Sequence, residues 1–150
     1  MREKIKEYCG YVKELFELYQ IISKRKDGTV LTNYHENGKV KDVEYYKNCR
    51  RHREDGPAWV QYRKNGEINS EWYFLNGESH CEDGPAVIHY WGNGKVYNEH
   101  YYKNGKSHRE NGPAIIEYNG DGEIIEEEYW INGKELDLLQ AMVIRGLKGE

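Results

Sequence analysis

The chain has 150 residues, with 22 Lys and Arg against 26 Asp and Glu, a formal net charge of −4 and a mean hydropathy of −1.02. Leu, Ile, Val and Phe make up under a fifth of it, yet 14 Tyr and 4 Trp bring aromatics to 13%, which argues against disorder and against a thick two-layer core. No apolar run approaches the ~18–20 residues of a spanning helix, Met1-Arg2-Glu3-Lys4 opens no secretory signal, and Cys9, Cys49 and Cys81 encode neither a disulfide framework nor a CxxC metal site. A soluble, cytoplasmic protein of one domain is the expectation.

Residues 2–25 place Ile5, Tyr8, Cys9, Val12, Leu15, Phe16, Tyr19 and Ile22 at spacings of three and four, the pattern of an amphipathic helix. Residues 1–23 therefore read as an N-terminal helical cap. A repeat follows. His52-Arg-Glu-Asp-Gly-Pro-Ala58 recurs 28 residues on as His80-Cys-Glu-Asp-Gly-Pro-Ala86 and again as His108-Arg-Glu-Asn-Gly-Pro-Ala114. Asn65-Gly66, Asn93-Gly94 and Asp121-Gly122 keep that register, as do Asn76-Gly77, Asn104-Gly105 and Asn132-Gly133. A worn copy precedes them, with Thr29 in place of proline and Asn48-Cys49 in place of Asn-Gly. The units are 24–51, 52–79, 80–107 and 108–135.

Each unit reads as a β-hairpin. Ala58–Arg63 and Ile68–Leu75 are short runs of β-formers joined at Asn65-Gly66, and Asn-Gly tolerates the positive φ of a type I′ turn. In the loops, Asp55, Asp83 and Asn111 can close an Asx turn and Gly56, Gly84 and Gly112 can take a φ closed to other residues. Pro57, Pro85 and Pro113 give up an N–H just before the next strand. Alternation puts Ala58/Val60/Tyr62, Ala86/Ile88/Tyr90 and Ala114/Ile116/Tyr118 on one face, expected to be apolar and packed. The opposite face, with Trp59/Gln61/Arg63, Val87/His89/Trp91 and Ile115/Glu117/Asn119, varies from unit to unit. Leu136–Arg145 reads as a second helix, and residues 136–150 as a C-terminal helical cap, since an open array of hairpins needs atypical end pieces. The predicted fold is mainly β: a single-layer antiparallel array of about eight strands with helical caps at both ends.

These motifs resemble the MORN-type repeat superfamily, in which successive hairpins build a long single-layered sheet. The ordinary MORN unit is shorter and carries a Tyr-x-Gly pattern that this chain lacks. Nearer are MORN-like variants rich in Tyr-Tyr-x-Asn-Gly-Lys, found in bacterial antitoxin-like proteins, and His-Arg-Glu-Asp-Gly-Pro-Ala arrays of bacteriophage and giant-virus proteins. The stretch from Tyr101-Tyr102-Lys103-Asn104-Gly105-Lys106 to Ala114 resembles a clean copy. The resemblance covers residues 24–135 and implies a scaffold fold without naming an activity.

The repeated His52, His80 and His108 invite a metal reading. Each hairpin advances an array by two strand spacings, roughly 10 Å, whereas zinc needs its nitrogen ligands within about 4 Å of one another. The histidines, with Asp55, Asp83 and Asn111, are therefore assigned to holding the loops together. No P-loop, nucleophile elbow or HExxH occurs, so the chain is expected to be no enzyme and to carry no metal or cofactor. Charge is uneven: net +4 over residues 24–51, with Lys24, Arg25, Lys26, Arg50 and Arg51, and net −6 over 108–135, with Glu123, Glu126, Glu127 and Glu128. Such polarity can steer a charged partner or favour self-association.

The expected function is a non-catalytic protein-binding module with Trp59, Arg63, Trp72, His89, Trp91 and His100 as anchors, because Trp, Tyr and Arg dominate interface energetics. The phage resemblance implies a concrete version, an inhibitor that binds a host defence enzyme such as a CRISPR effector nuclease. A nucleic-acid-binding protein using the basic first unit and its tyrosines is the main alternative. An antitoxin-like or membrane-associated scaffold is a third reading, and the acidic balance disfavours an anionic membrane.

Overall fold

Asn-Gly dipeptides at two places per unit close two different hairpins, and this sets the architecture of the chain. The computed structural model describes residues 19–25 and 28–146, with side chains from residue 28 onward. Strands β1 (Tyr19–Arg25), β2 (Gly28–Tyr34), β3 (Val40–Lys47), β5 (Trp59–Tyr62), β6 (Ile68–Trp72), β9 (Val87–Tyr90), β10 (Val96–His100), β13 (Ile115–Tyr118) and β14 (Ile124–Glu128) run side by side in that order. They form one antiparallel sheet, and the two-residue β4 (Arg50–Arg51) pairs with β3 to bring it to ten strands.

The second strand of the last three units is shorter than the sequence suggests, whereas in the first unit β3 runs unbroken from Val40 to Lys47. Ile68–Leu75 breaks at Tyr73: β6 stays in the main sheet, while β7 (Phe74–Leu75) turns away and pairs with β8 (Glu78–Ser79) in a small side hairpin. The same break gives β11 (Tyr102–Lys103) with β12 (Lys106–Ser107), and β15 (Trp130–Ile131) with β16 (Lys134–Glu135). The pivot is held by backbone bonds, since Tyr73 N–H donates to the Ala86 carbonyl at 2.7 Å and its own carbonyl accepts from His80 N–H at 3.1 Å.

Turn chemistry is distributed differently from the expectation as well. The side-hairpin turns are the ones with two consecutive residues at positive φ, Asn76 and Gly77 (+54° and +89°), Asn104 and Gly105, Asn132 and Gly133, as a type I′ turn requires. In the first unit Cys49 holds φ +59° where the others have glycine. The long hairpins instead use three-residue loops: Arg63 N–H donates to the Glu67 carbonyl and Gly66 N–H to the Arg63 carbonyl, with only Gly66 at positive φ. Gly56, Gly84 and Gly112 are not at positive φ. A Cβ at Gly56 would sit 3.2 Å from the Arg53 guanidinium carbon, and one at Gly112 3.4 Å from that of Arg109, so glycine there makes room for the arginine folded over the loop.

At the N-terminal side the expected helix gives way to strand β1 over Tyr19–Arg25. β1 pairs with β2 from Tyr19 opposite Asn33 to Arg25 opposite Gly28, so a neighbouring strand edge satisfies backbone groups that the helical spacing alone assigned to a helix. Residues 1–18 of that expectation, and Lys26, lie outside the described residues. Gly28 is obligatory: a Cβ there would stand 1.8 Å from the Tyr46 carbonyl oxygen. At the other end α1 (Leu138–Ile144) follows, with Asp137 and Gln140 forming a capping box. Among the described residues, no helix is long and apolar enough to cross a membrane.

Ala58, Val60, Ala86, Ala114 and Ile116 are buried on the face assigned to packing, and Val87 is buried on the opposite one. That face is not uniformly apolar. Cross-strand register runs Val43, Val60, Glu71, Ile88, Glu99, Ile116, Glu127, so a carboxylate alternates with each aliphatic residue beyond the first unit.

Candidate partner-binding face

The opposite face carries two parallel rows. One runs Glu44, Trp59, Trp72, Val87, His100, Ile115, Glu128 in direct cross-strand register. The other runs Asn33, Asp42, Gln61, Ser70, His89, Asn98, Glu117, Glu126. Facing pairs on an antiparallel sheet put their Cβ atoms ~5 Å apart, close enough for rings to touch from strand to strand.

They do touch. Trp59 and Trp72 have ring centroids 5.4 Å apart, Trp72 meets His89 edge-on at 5.5 Å, and His89 meets His100 at 6.5 Å. Phe74 stacks on Trp72 at 6.3 Å and Tyr102 on His100 at 6.3 Å. At one end the Arg51 guanidinium lies 4.4 Å over Trp59 and 5.7 Å from Phe74, a cation–π geometry. Glu44 fixes that guanidinium at 2.7 Å and accepts from Tyr46 Oη at 2.7 Å. The result is a continuous half-buried strip across β5, β6, β9 and β10.

The polar row beside it is deeply set. Ser70 is completely buried, donates to Gln61 Oε1 at 2.8 Å and accepts from Trp72 Nε1 at 3.2 Å. Asn33 Nδ2 donates to Asp42, whose carboxyl is pushed above its ordinary range mainly by burial. Burial lowers both His89 and His100, His89 further through the neighbouring His100, while Glu128 partly opposes the shift at His100. Both imidazoles are therefore held toward the neutral form. Among the described residues, four buried side-chain atoms lack a hydrogen-bond partner: Asn33 Oδ1, Trp59 Nε1, Arg63 Nε and Asn98 Oδ1. All four belong to this face or to its turn edge, and such groups are rare enough in folded chains to need a reason.

Of the anchors read from sequence, Trp59, Trp72, His89 and His100 come together on the strip. Arg63 and Trp91 sit apart, at the hairpin tips, and tie units together. His35 Nε2 bonds the Tyr62 carbonyl at 2.9 Å, the Arg63 guanidinium donates to the Tyr90 carbonyl, and Trp91 Nε1 donates to the Tyr118 carbonyl at 3.2 Å. Three different side chains thus fill one role at a spacing of 28. Trp91 remains partly exposed against Tyr97, at 4.6 Å.

The charged patches are divided. Lys24 and Arg25 lie on β1, Arg50 is exposed, and Arg51 is committed to Glu44 and Trp59. Glu126 and Glu128 share the strip's face with Glu117, Glu123 bonds Asn119 in a tip, and Glu127 points to the other face. The histidine loops form the edge opposite the tips. Asn76, Asn104 and Asn132 N–H groups donate to Nδ1 of His52, His80 and His108 at 3.0, 3.2 and 3.1 Å. Nε2 of each ring therefore carries the proton, directed at Glu54, Glu82 and Glu110 at 3.2, 3.2 and 3.5 Å. Arg53 and Arg109 fold back to the Pro57 and Pro113 carbonyls while covering Tyr45 and Tyr101 at 4.2 and 3.8 Å. Cys81 replaces that arginine in the middle unit, and a cleft of about 370 Å³ opens beside it, lined by Tyr101, His108 and Arg109. Among the described residues, no three His, Cys, Asp or Glu side chains are grouped to hold a metal ion.

Sequence reasoning passed over Glu71 and Glu99 and placed Glu127 only in an acidic patch, although the three keep the 28-residue spacing. Tyr90 Oη donates to Glu71 at 2.6 Å, and Tyr118 and Tyr101 donate to Glu99 at 3.0 and 3.4 Å. Tyr129 and Arg145 hold Glu127 at 3.4 and 2.5 Å. Arg145, on the C-terminal side of α1, takes the place that the next unit's tyrosine would occupy. No protein family, curated protein or solved structure matches the chain.

Proposed function

We propose that this chain is a non-catalytic protein-binding module of MORN-like architecture and that it binds its partner through the Trp59–Trp72–His89–His100 strip. The observation that carries the reading is the coincidence, on one face, of a half-buried aromatic strip and, among the described residues, three unpartnered buried polar atoms, Asn33 Oδ1, Trp59 Nε1 and Asn98 Oδ1. An interface core combines aromatic area with polar groups that a partner completes. The opposite face has no such surplus, since its carboxylates are engaged by tyrosine hydroxyls or Arg145. The resemblance to phage and giant-virus arrays supports a host protein as the partner, with inhibition of a host defence enzyme such as a CRISPR effector nuclease as its specific form. Nucleic-acid binding is the weaker reading, because Arg51 is already neutralised by Glu44 and the strip's face ends in Glu117, Glu126 and Glu128.

The test is affinity capture from host lysate with three baits: wild type, Trp72→Ala, and the tip variant Trp91→Ala. A protein retained by wild type and Trp91→Ala but lost with Trp72→Ala supports the strip. Equal recovery by all three baits removes it, and a shift of labelled single-stranded RNA or DNA at low salt moves the assignment to nucleic acid.

A further inference from the structure

We propose that the two ends of the sheet bind each other between copies, so that the chain associates head to tail in solution. In every earlier unit the second strand is paired on both sides: β3 with β5, β6 with β9, and β10 with β13, each through three residue pairs. Among the described residues β14 pairs with β13 alone, because the chain turns into α1 where a fifth unit would begin. Leu136 N–H still donates to the Tyr129 carbonyl, as His52, His80 and His108 do to Tyr45, Tyr73 and Tyr101. Past that bond the sequence diverges and the strand edge is left uncontinued. An open edge is a template for another strand.

The same end gathers exposed apolar surface. Seven large hydrophobic side chains are exposed among the described residues, and five of them are here: Ile124, Ile125, Leu138, Leu139 and Val143, the last three 77–78% exposed. Charge selects the occupant. Two β14 edges brought together antiparallel would set Glu126, Glu127 and Glu128 of one copy against those of the other, and like charges directly opposed are destabilising. The complementary surface is at the far end of the strand order, where β1 carries Lys24 and Arg25 in a unit of net charge +4, against −6 for the unit that contains β14. Such a contact joins two different surfaces and leaves one of each unused, so it builds open chains unless the rotation closes a ring.

Sedimentation of the full chain across a dilution series tests this. Wild type is expected to rise above its monomer mass of 17.8 kDa with concentration, and to return toward it near 1 M salt, where the Debye length is ~3 Å. Reversing the acidic end (Glu123→Lys, Glu126→Lys) or the basic end (Lys24→Glu, Arg25→Glu) is expected to give a monomer in each case. An equimolar mixture of the two variants then regains mass, because each supplies what the other lacks. A wild type that stays monomeric at every concentration overturns the proposal. So does a dimer that persists in the basic-end variant, which would be a symmetric contact, or association insensitive to salt.

Discussion

On one face of the sheet Glu71, Glu99 and Glu127 stand 28 residues apart, each held by a tyrosine hydroxyl. On the other, the neighbouring positions 44, 72, 100 and 128 are Glu, Trp, His and Glu. From the second unit on the first set survives translation along the array, with Val43 at its position in the first unit, and the second set does not. A contact that every unit must make with the next constrains its residues identically in each copy, whereas a surface that meets something outside the array is free of that constraint. The periodic face is the joint, and the aperiodic face is where the units differ in what they present.

Removing a joint residue is expected to give the largest effect. Glu99→Ala leaves the Tyr118 and Tyr101 hydroxyls without their acceptor and is expected to cost about 2 kcal/mol in urea unfolding. Glu126→Ala, on the aperiodic face directly opposite Glu117, is expected to be neutral or to stabilise slightly by relieving like charge. Equal losses would erase the distinction between the faces. Cys49→Gly is next, with an expected gain of about 1 kcal/mol, because glycine accepts the positive φ that cysteine holds under strain; an unchanged melting temperature would count against it.

The two faces are also expected to fail at opposite ends of the pH scale. His89 and His100 titrate below their ordinary range when folded, so the unfolded chain takes up protons first. The stability they contribute is present above about pH 6.5 and is lost as pH falls through their folded values. Replacing both with Gln is expected to flatten that acid limb in a pH series of urea midpoints. On the periodic face Tyr118 is pushed up to about 12, by burial first and then by Glu99, and Tyr90 is raised by burial and Glu71. Their contribution is present below about pH 10 and is lost as pH rises through the folded values. Tyrosinate absorbance appearing together with loss of the far-UV spectrum is the expected signature, and tyrosines ionising with the fold intact would contradict it.

Much of this was legible in the sequence. The period, the hairpins and the equivalent histidine loops follow from a 28-residue shift combined with alternation, whereas the six anchors read together from sequence divide into Trp59, Trp72, His89 and His100, which meet, and Arg63 and Trp91, which sit at the tips. The rest was hidden for identifiable reasons. His35, Arg63 and Trp91 share no chemistry beyond an N–H at the end of a ring or fork, so residue similarity conceals their common role. Glu71, Glu99 and Glu127 keep the period but belong to no motif, and Glu127 reads from sequence only as part of an acidic patch. Both Asn-Gly sites of a unit look alike in sequence, and which one forms the two-residue turn depends on backbone bonds made by the adjacent unit. Over Tyr19–Arg25 helical spacing was outweighed by an available strand edge, a tertiary term that periodicity does not contain.

The inter-unit side-chain ties have one further consequence. The tips reach 26 or 27 residues along the chain and the Tyr–Glu bonds 19, so these bonds reach into the adjacent unit and no farther, while the histidine bonds, 24 residues long, tie the two ends of one unit together. Stability then accumulates one neighbour pair at a time, as in a one-dimensional chain of coupled elements, and melting starts at a terminus and travels inward. The three imidazoles are natural reporters of that front. Unfolding of a unit frees Nδ1 from its own N–H donor and lets the tautomers mix, so nitrogen resonances of His52, His80 and His108 would record the order in which the units unfold.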